Sequence, residues 1–381
     1  MRILAYLYYP FFNQHLAGGV QVTVQTLVRG FLERGHQVRA LCPGNDSRPL
    51  FEAPGLEVRP VLIEQRERTI ASEDVSHNLR EISRASEAVD VVWTVDRLFP
   101  VETPQPIVLS LSALCYANDL AALLGMNWDH LVVPSPAVAR IIDSWFGRDS
   151  ARSNSRRWSS IPPPLDPIFY PRRDVSRLYS KLGLNRDCRY LLFPHRPESG
   201  KGHELALRVL GELLPHEPRF HLLVPKPPIS LRVDTRPEAD WIQHVQSEAT
   251  RLGLRDHVIF HDWIDYPDLP EYYSLGECCL HLSRLPETFG LSVVESIASG
   301  TFVVSSGTGA VSETVPPGEA HRVVPDLEPS AIASAVLAGC SEGGLQQARD
   351  WVAEKYSPQP IIDAYLECFA TTTKMTAPFR G

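Results

Sequence analysis

The sequence predicts an α/β fold built from two doubly wound, Rossmann-like domains that face a central cleft. Three observations predict it. Short apolar runs alternate with helical patterns along most of the chain. The alternation breaks once, at a polar and basic stretch over 150–160 that leads into Pro162-Pro163-Pro164. A chain of 381 residues, 44% of them hydrophobic, can bury two sizeable cores. The strands read as continuous apolar runs rather than polar–apolar alternations, as expected of parallel sheets covered on both faces.

In the first domain, assigned to 1–164, Arg2–Tyr8 reads as a buried strand and not as a signal peptide, because Pro and polar residues follow too early. A loop over Pro10–Gly19 leads to a helix from about Val20 to Arg34, with Val20, Val24, Leu27, Val28, Phe31 and Leu32 on one stripe. Gly35 ends that helix, and Gln37–Leu41, Val89–Thr94, Ile107–Leu111 and His130–Val133 follow as strands. The second domain, 165–355, repeats the alternation. Strands are expected at Tyr190–Phe193, Phe220–Val224, His257–Phe260, Cys278–Leu282 and Phe302–Ser305, with helices at Glu204–Leu214, Trp241–Leu252 and Leu291–Ser299. The remaining residues, 356–381, carry an amphipathic helix over Gln359–Ala370 that is expected to return to the N-terminal domain.

Composition excludes several classes. No run approaches eighteen apolar residues and no basic amphipathic helix stands out, so no membrane association is expected. A formal charge of −8 argues against a nucleic-acid partner. Seven cysteines without paired CxxC spacing read as buried free thiols, which points to a reducing cytoplasm and no metal site.

Chemistry concentrates in three stretches of the second domain. In LSRLPETFGLSVVESIASG, Glu287 and Glu295 stand eight positions apart around a helix start at Thr288-Phe289-Gly290. A helix start presents unpartnered N–H groups and a positive dipole end, so amides there suit a diphosphate while the carboxylates take hydroxyls. Glutamate is also favoured in first turns for helix stability alone. PHRPESGKGHE (194–204) sets Arg196 and Lys201 around Gly200 and Gly202; Arg can fork two phosphate oxygens and Lys adds a compact charge. It is not a P-loop, and His195 and His203 read as loop packing or caps. SSGTGAVSE (305–313) is a small-residue loop that permits close approach. In the first domain, Gly18-Gly19 precedes the first helix without matching GxGxxG.

With these residues in place, the chain resembles the retaining glycosyltransferases of the GT-B fold, family four, the group 1 type. The resemblance is strongest over PETFGLSVVESIASGTFVVSSGTGAVSETV. It implies transfer of a sugar from a nucleotide-diphosphate sugar to an acceptor, a small soluble sugar or natural-product scaffold, with no metal or other cofactor. It implies further that Arg196 and Lys201 grip the donor diphosphate, that Glu287 contacts the donor sugar and that Glu295 contacts the ribose. Arg196, Lys201 and Glu287 are the expected catalytic residues, and backbone at Gly18, Gly19, Thr288, Phe289, Gly290 and Leu291 completes the donor site. Ser112 stands where many members carry a histidine beside the reacting sugar, and is the candidate sugar or acceptor contact. Other GT-B activities, epimerase or phosphorylase, and a binding protein without turnover are the alternatives. The base of the donor (UDP, GDP, ADP or dTDP), the acceptor and the oligomeric state are not specified by these motifs.

Overall fold

The structure is a computed structural model that describes residues 1–7, 19–43, 51–61, 80–96, 103–112, 123, 128–146, 157–226, 236–315, 318, 321–340 and 345–376. The chain divides into two compact units, Met1–Pro164 with Pro358–Gly381, and Leu165–Ser357.

The first unit is a seven-stranded parallel sheet. Its strands are β1 (Arg2–Leu7), β2 (Gln37–Pro43), β3 (Leu56–Val61), β4 (Val91–Val95), β5 (Ile107–Ser110), β6 (His130–Val133) and β7 (Arg157–Ser160), in the order β3-β2-β1-β4-β5-β6-β7. β1 is central, pairing Ile3 with Val38 on one side and with Val91 on the other. Helix α1 (Gly19–Glu33) ends at Gly35, whose φ of +77° lies in the left-handed region open to glycine. Its buried stripe includes Val24, Leu27, Val28 and Phe31.

The C-terminal helix, Pro358–Thr376, closes this unit. Tyr365 and Phe369 form an aromatic cluster with Phe31 and Trp93, with centroids 5.5–6.3 Å apart and edge-to-face or tilted rings. Trp93 Nε1 donates to Ser110 Oγ at 2.9 Å, and Tyr365 Oη shares a hydrogen bond with the same hydroxyl at 3.3 Å. Both buried polar tips are thereby satisfied. At the surface, Arg34 pairs with Asp363 at 2.5 Å.

One sequence expectation is corrected here. The stretch 150–160 is not simply a connection: Arg157–Ser160 is β7, paired with β6 from His130↔Arg157 to Val133↔Ser160. Its polar composition reflects its place at the sheet edge, where Arg157 and Ser160 are exposed and Trp158 packs on the core while donating to Asp143 at 2.8 Å.

The second unit is a six-stranded parallel sheet of β8 (Arg189–Leu192), β9 (Phe220–Pro225), β10 (Val258–His261), β11 (Cys278–His281), β12 (Phe302–Ser305) and β13 (His321–Val323), ordered β10-β9-β8-β11-β12-β13. Its core joins Leu191, Phe193, Leu222, Val224, Leu280, Phe302 and Val304 of the strands to Leu207, Leu210 and Val336 of the covering helices. No helix among the described residues is long and apolar enough to cross a membrane.

We expect Phe369→Ala to destabilise the protein by about 3–5 kcal/mol, because it opens a cavity against Phe31 and Trp93. Denaturant unfolding followed by tryptophan fluorescence measures this.

Candidate functional site: a crevice between β8 and β11

In the second unit the winding runs from β8 to β9 and β10 on one side, then returns to place β11 on the other flank of β8. The loops leaving the carboxyl ends of β8 and β11 therefore diverge, and a doubly wound sheet binds its ligands in such a crevice.

The loop after β8 carries His195, Arg196, Gly200, Lys201 and Gly202 before helix α2 (His203–Leu213). Gly200 and Gly202 have φ values of +90° and +95°. A Cβ on Gly202 would lie 2.3 Å from the Leu282 carbonyl oxygen, a contact no side chain can make. The Gly200 carbonyl accepts the Arg284 N–H at 2.8 Å. These contacts bind the loop to the chain leaving β11. That chain is held in turn by the loop after β12: Glu287 bridges Gly309, and its carbonyl accepts the Ala310 N–H at 2.8 Å.

The outcome is an ion pair. Lys201 Nζ donates to Glu287 Oε1 at 2.8 Å, with the two side chains only 18% and 20% exposed. Burial alone would raise the Glu287 pKa. The His281 ring, the Lys201 ammonium and the Lys201 hydrogen bond outweigh burial and hold the carboxyl below its usual range. Arg196 is exposed on the same loop.

Helix α3 (Leu291–Ala298) starts at Gly290, whose φ is +93° and whose carbonyl accepts the Val293 N–H at 3.0 Å. Thr288 and Leu291 are half-buried. Phe289 is buried, with its ring edge-on to Tyr356 at 5.1 Å and its carbonyl accepting from Thr314 Oγ1 at 2.6 Å. Glu295, one turn further along, sits in different surroundings from Glu287. Its Oε2 accepts from Tyr273 Oη at 3.0 Å, and Tyr266 nearby donates to Asp166 at 3.3 Å. Burial pushes the Glu295 carboxyl up to about 7, with the Tyr273 hydrogen bond opposing and the Asp166 charge reinforcing.

Behind the ion pair lies a cluster of buried imidazoles. His281, at the end of β11, places Nδ1 3.0 Å from Ser292 Oγ and Nε2 3.8 Å from Glu287 Oε1. His195 meets His281 edge-to-face with centroids 4.6 Å apart, and Phe193 packs edge-to-face with His195 and His203 at 4.8 and 4.7 Å. Burial lowers the pKa of all three histidines, that of His203 to about 3, and keeps them neutral beside Lys201. His203 also accepts from Trp241 Nε1 at 3.3 Å.

In the first unit, Ser112 follows β5, where its amide donates to Asp96 Oδ1 at 2.5 Å and its hydroxyl to Asp96 Oδ2. Asp96 follows β4 with a φ of +57°. Gly19 is the first residue of α1, and Gly18 lies outside the described residues. The structure thus brings Lys201, Glu287 and the α3 start together, and places Glu295 in a separate carboxylate–tyrosine group. Asp96, His281 and the group around Glu295 were not anticipated. The one signal for His281 was a polar residue inside the apolar run CCLHL.

Residues 175–355 match the family model for glycosyl transferases group 1, and residues 17–167 match that for glycosyltransferase family 4. The chain belongs to the group 1 glycosyltransferases. A D-inositol 3-phosphate glycosyltransferase of Acidothermus cellulolyticus is 29% identical over 212 residues, covering 55% of this chain and 45% of that protein. The chain thus spans about half the length of such relatives. Among solved structures, sucrose-phosphate synthase from Thermosynechococcus elongatus superposes with a TM-score of 0.78 at 19% identity, over 97% of this chain and all of that one. HepE of Anabaena, in complex with UDP-glucose, gives 0.72 at 16%, over 97% and 99%. The fold of this group 1 member is accordingly GT-B.

The Glu295 carboxyl has a folded-state pKa near 7 against an ordinary value of 4.5. A raised carboxyl pKa contributes stability that is present below 4.5 and lost as pH rises through 7. Glu295→Gln removes that loss. We expect the variant to gain on the order of 2–3 kcal/mol relative to the parent between pH 5 and pH 8, read by urea unfolding at the two pH values.

Proposed function

We propose that the chain is a retaining glycosyltransferase that moves a sugar from a nucleotide-diphosphate sugar to the hydroxyl of a small acceptor, a sugar or natural-product scaffold. The observation that carries this reading is the Lys201–Glu287 pair, half-sheltered at the switch point of the sheet and beside the start of α3. Membership of the group 1 family and the UDP-glucose held by HepE support it. The six described cysteines are free, which supports a reducing compartment and so the cytoplasm. We assign the reaction no metal or other cofactor.

In this reading the diphosphate lies across the α3 start, where the amides of Gly290 and Leu291 and the positive end of the helix meet its charge. Lys201 and Arg196 neutralise the leaving group, Glu287 orients the sugar through its hydroxyls and Glu295 takes the ribose. With Glu287 held by Lys201 and assigned to the sugar hydroxyls rather than to the anomeric carbon, we assign same-face substitution in which the departing phosphate oxygen takes the acceptor proton. Catalysis is then positioning and charge stabilisation. A binding protein without turnover is the second reading. It is favoured by Ser112, which Asp96 engages through both amide and hydroxyl, at the place where many members carry a histidine.

Calorimetric titration with UDP, GDP, ADP and dTDP separates binding from its absence. One nucleotide is expected to bind, more weakly to Glu295→Ala, and failure of all four overturns the donor site. Lys201→Ala and Arg196→Ala are expected to fold normally and to lose turnover by on the order of a hundredfold, about 3 kcal/mol each. Donor turnover at the parent rate in both variants contradicts the assignment.

A further inference from the structure

Lys201 is asked to do two things in the site described above. It fixes Glu287 at 2.8 Å, and in the proposed reaction its charge is drawn to the leaving diphosphate. A carboxylate that orients a sugar must stay fixed at the moment its ammonium partner turns away. Glu287 therefore needs a second donor; the Ser283 hydroxyl lies by the carboxylate but donates to the Leu285 carbonyl at 3.0 Å, and His281 is the other group placed to be one.

The geometry is specific. The ring is buried, 2% exposed, at the carboxyl end of β11. Nδ1 lies 3.0 Å from the hydroxyl of Ser292 in the first turn of α3. Nε2 has no hydrogen-bond partner, and Glu287 Oε1 lies 3.8 Å from it, under an ångström beyond bonding distance. His195, edge-to-face with His281 at 4.6 Å and itself buried against Phe193, packs beside the ring. A neutral imidazole carries one N–H. The Ser292 hydroxyl can donate to Nδ1, and that tautomer leaves the proton on Nε2, pointing at Glu287. Burial favours the neutral ring, in keeping with this arrangement. The Nε2 atoms of His195 and His203 are likewise buried without a partner; His281 differs from them in having the Glu287 carboxylate 3.8 Å from its Nε2.

We propose that His281 is a positioning residue: anchored on Ser292, it donates from Nε2 to the Glu287 carboxylate when Lys201 engages the donor diphosphate. The inference rests on the reading of Glu287 as the donor-sugar contact. It concerns the sugar-bearing donor and not the bare nucleotide, because in the unliganded pair Lys201 already holds the carboxylate.

The test uses UDP and UDP-glucose with His281→Phe, which keeps a ring but no donor, and His281→Gln, which keeps a donor. We expect His281→Phe to bind UDP as the parent does and to lose about tenfold in kcat for release of glucose from UDP-glucose, with KM moving by less than about threefold. His281→Gln is expected to recover most of the loss. Parent-like kcat in His281→Phe overturns the proposal, as does a His281→Gln variant no better than His281→Phe when both melt like the parent. If His281→Phe does not fold, Ser292→Ala decides: a fall in kcat of about threefold at unchanged UDP affinity supports the anchored tautomer, and an unchanged kcat overturns it. UDP affinity of the parent is the control for the underlying reading. A parent that binds UDP and UDP-glucose equally and releases no glucose sinks that reading and this inference together, whereas glucose release by the parent that His281→Phe leaves at the parent rate sinks this inference alone.

Discussion

Everything in the second unit's crevice depends on two places where backbone touches backbone with no room for a side chain. At one, Gly202 stands against the Leu282 carbonyl; at the other, Gly309 stands against the backbone of Glu287, where an added Cβ would lie 2.2 Å from the carbonyl oxygen. Both glycines have positive φ, so any other residue would be strained twice, by its own conformation and by the clash. Together they bind the loops after β8, β11 and β12 into one body. The reach of Lys201 to Glu287 is set by that body, and so is the approach of Glu287 to the start of α3. Small residues in SSGTG therefore serve register, with Ser306 donating to the Ser283 carbonyl at 2.7 Å and Ser305 to or from His321 at 2.7 Å.

The charges follow from this framework. Burying an ion pair adds little stability, since desolvation consumes most of the attraction, so the Lys201–Glu287 pair is better understood as a prepared electrostatic environment than as a staple. Three neutral histidines behind it exclude water without adding cations. Glu295 is buried with a tyrosine in place of a base, and its carboxyl sits near neutrality while that of Glu287 is held ionised. One short helix and the loop before it thus present two carboxylates in two different states, separated by environment alone.

Legibility followed burial. The central strands β1, β4, β8 and β11 are buried over most of their length, with largely apolar runs readable from composition. The strands that sequence reading passed over, β3, β7 and β13, all lie at sheet edges, where one side meets solvent and the apolar pattern fades. Short helices such as Leu269–Leu275 escaped for lack of length to show a period. In the site, Glu287, Glu295, Arg196 and Lys201 were visible because carboxylates and cations stand out around glycines. The dependence of Glu295 on Tyr273, and the facing of His281 towards Glu287, arise only when β11, α3 and the helix Leu269–Leu275 come together. No local spacing encodes them.

The return of the last helix to the first unit has a bearing on how the chain is made. Ser110 and Tyr365 meet across 255 residues of sequence, and the aromatic contacts of Trp93 and Phe31 with the last helix span longer stretches still. At roughly 5–20 residues per second, the surface formed by Phe31 of α1 and Trp93 of β4 waits on the order of ten seconds to a minute for its cover. The second unit is made through Ser357 within that interval, while the first unit's aromatic surface still awaits Tyr365 and Phe369. The nascent chain is therefore most vulnerable to aggregation in its earliest-made part, and the order of synthesis is not the order of completion.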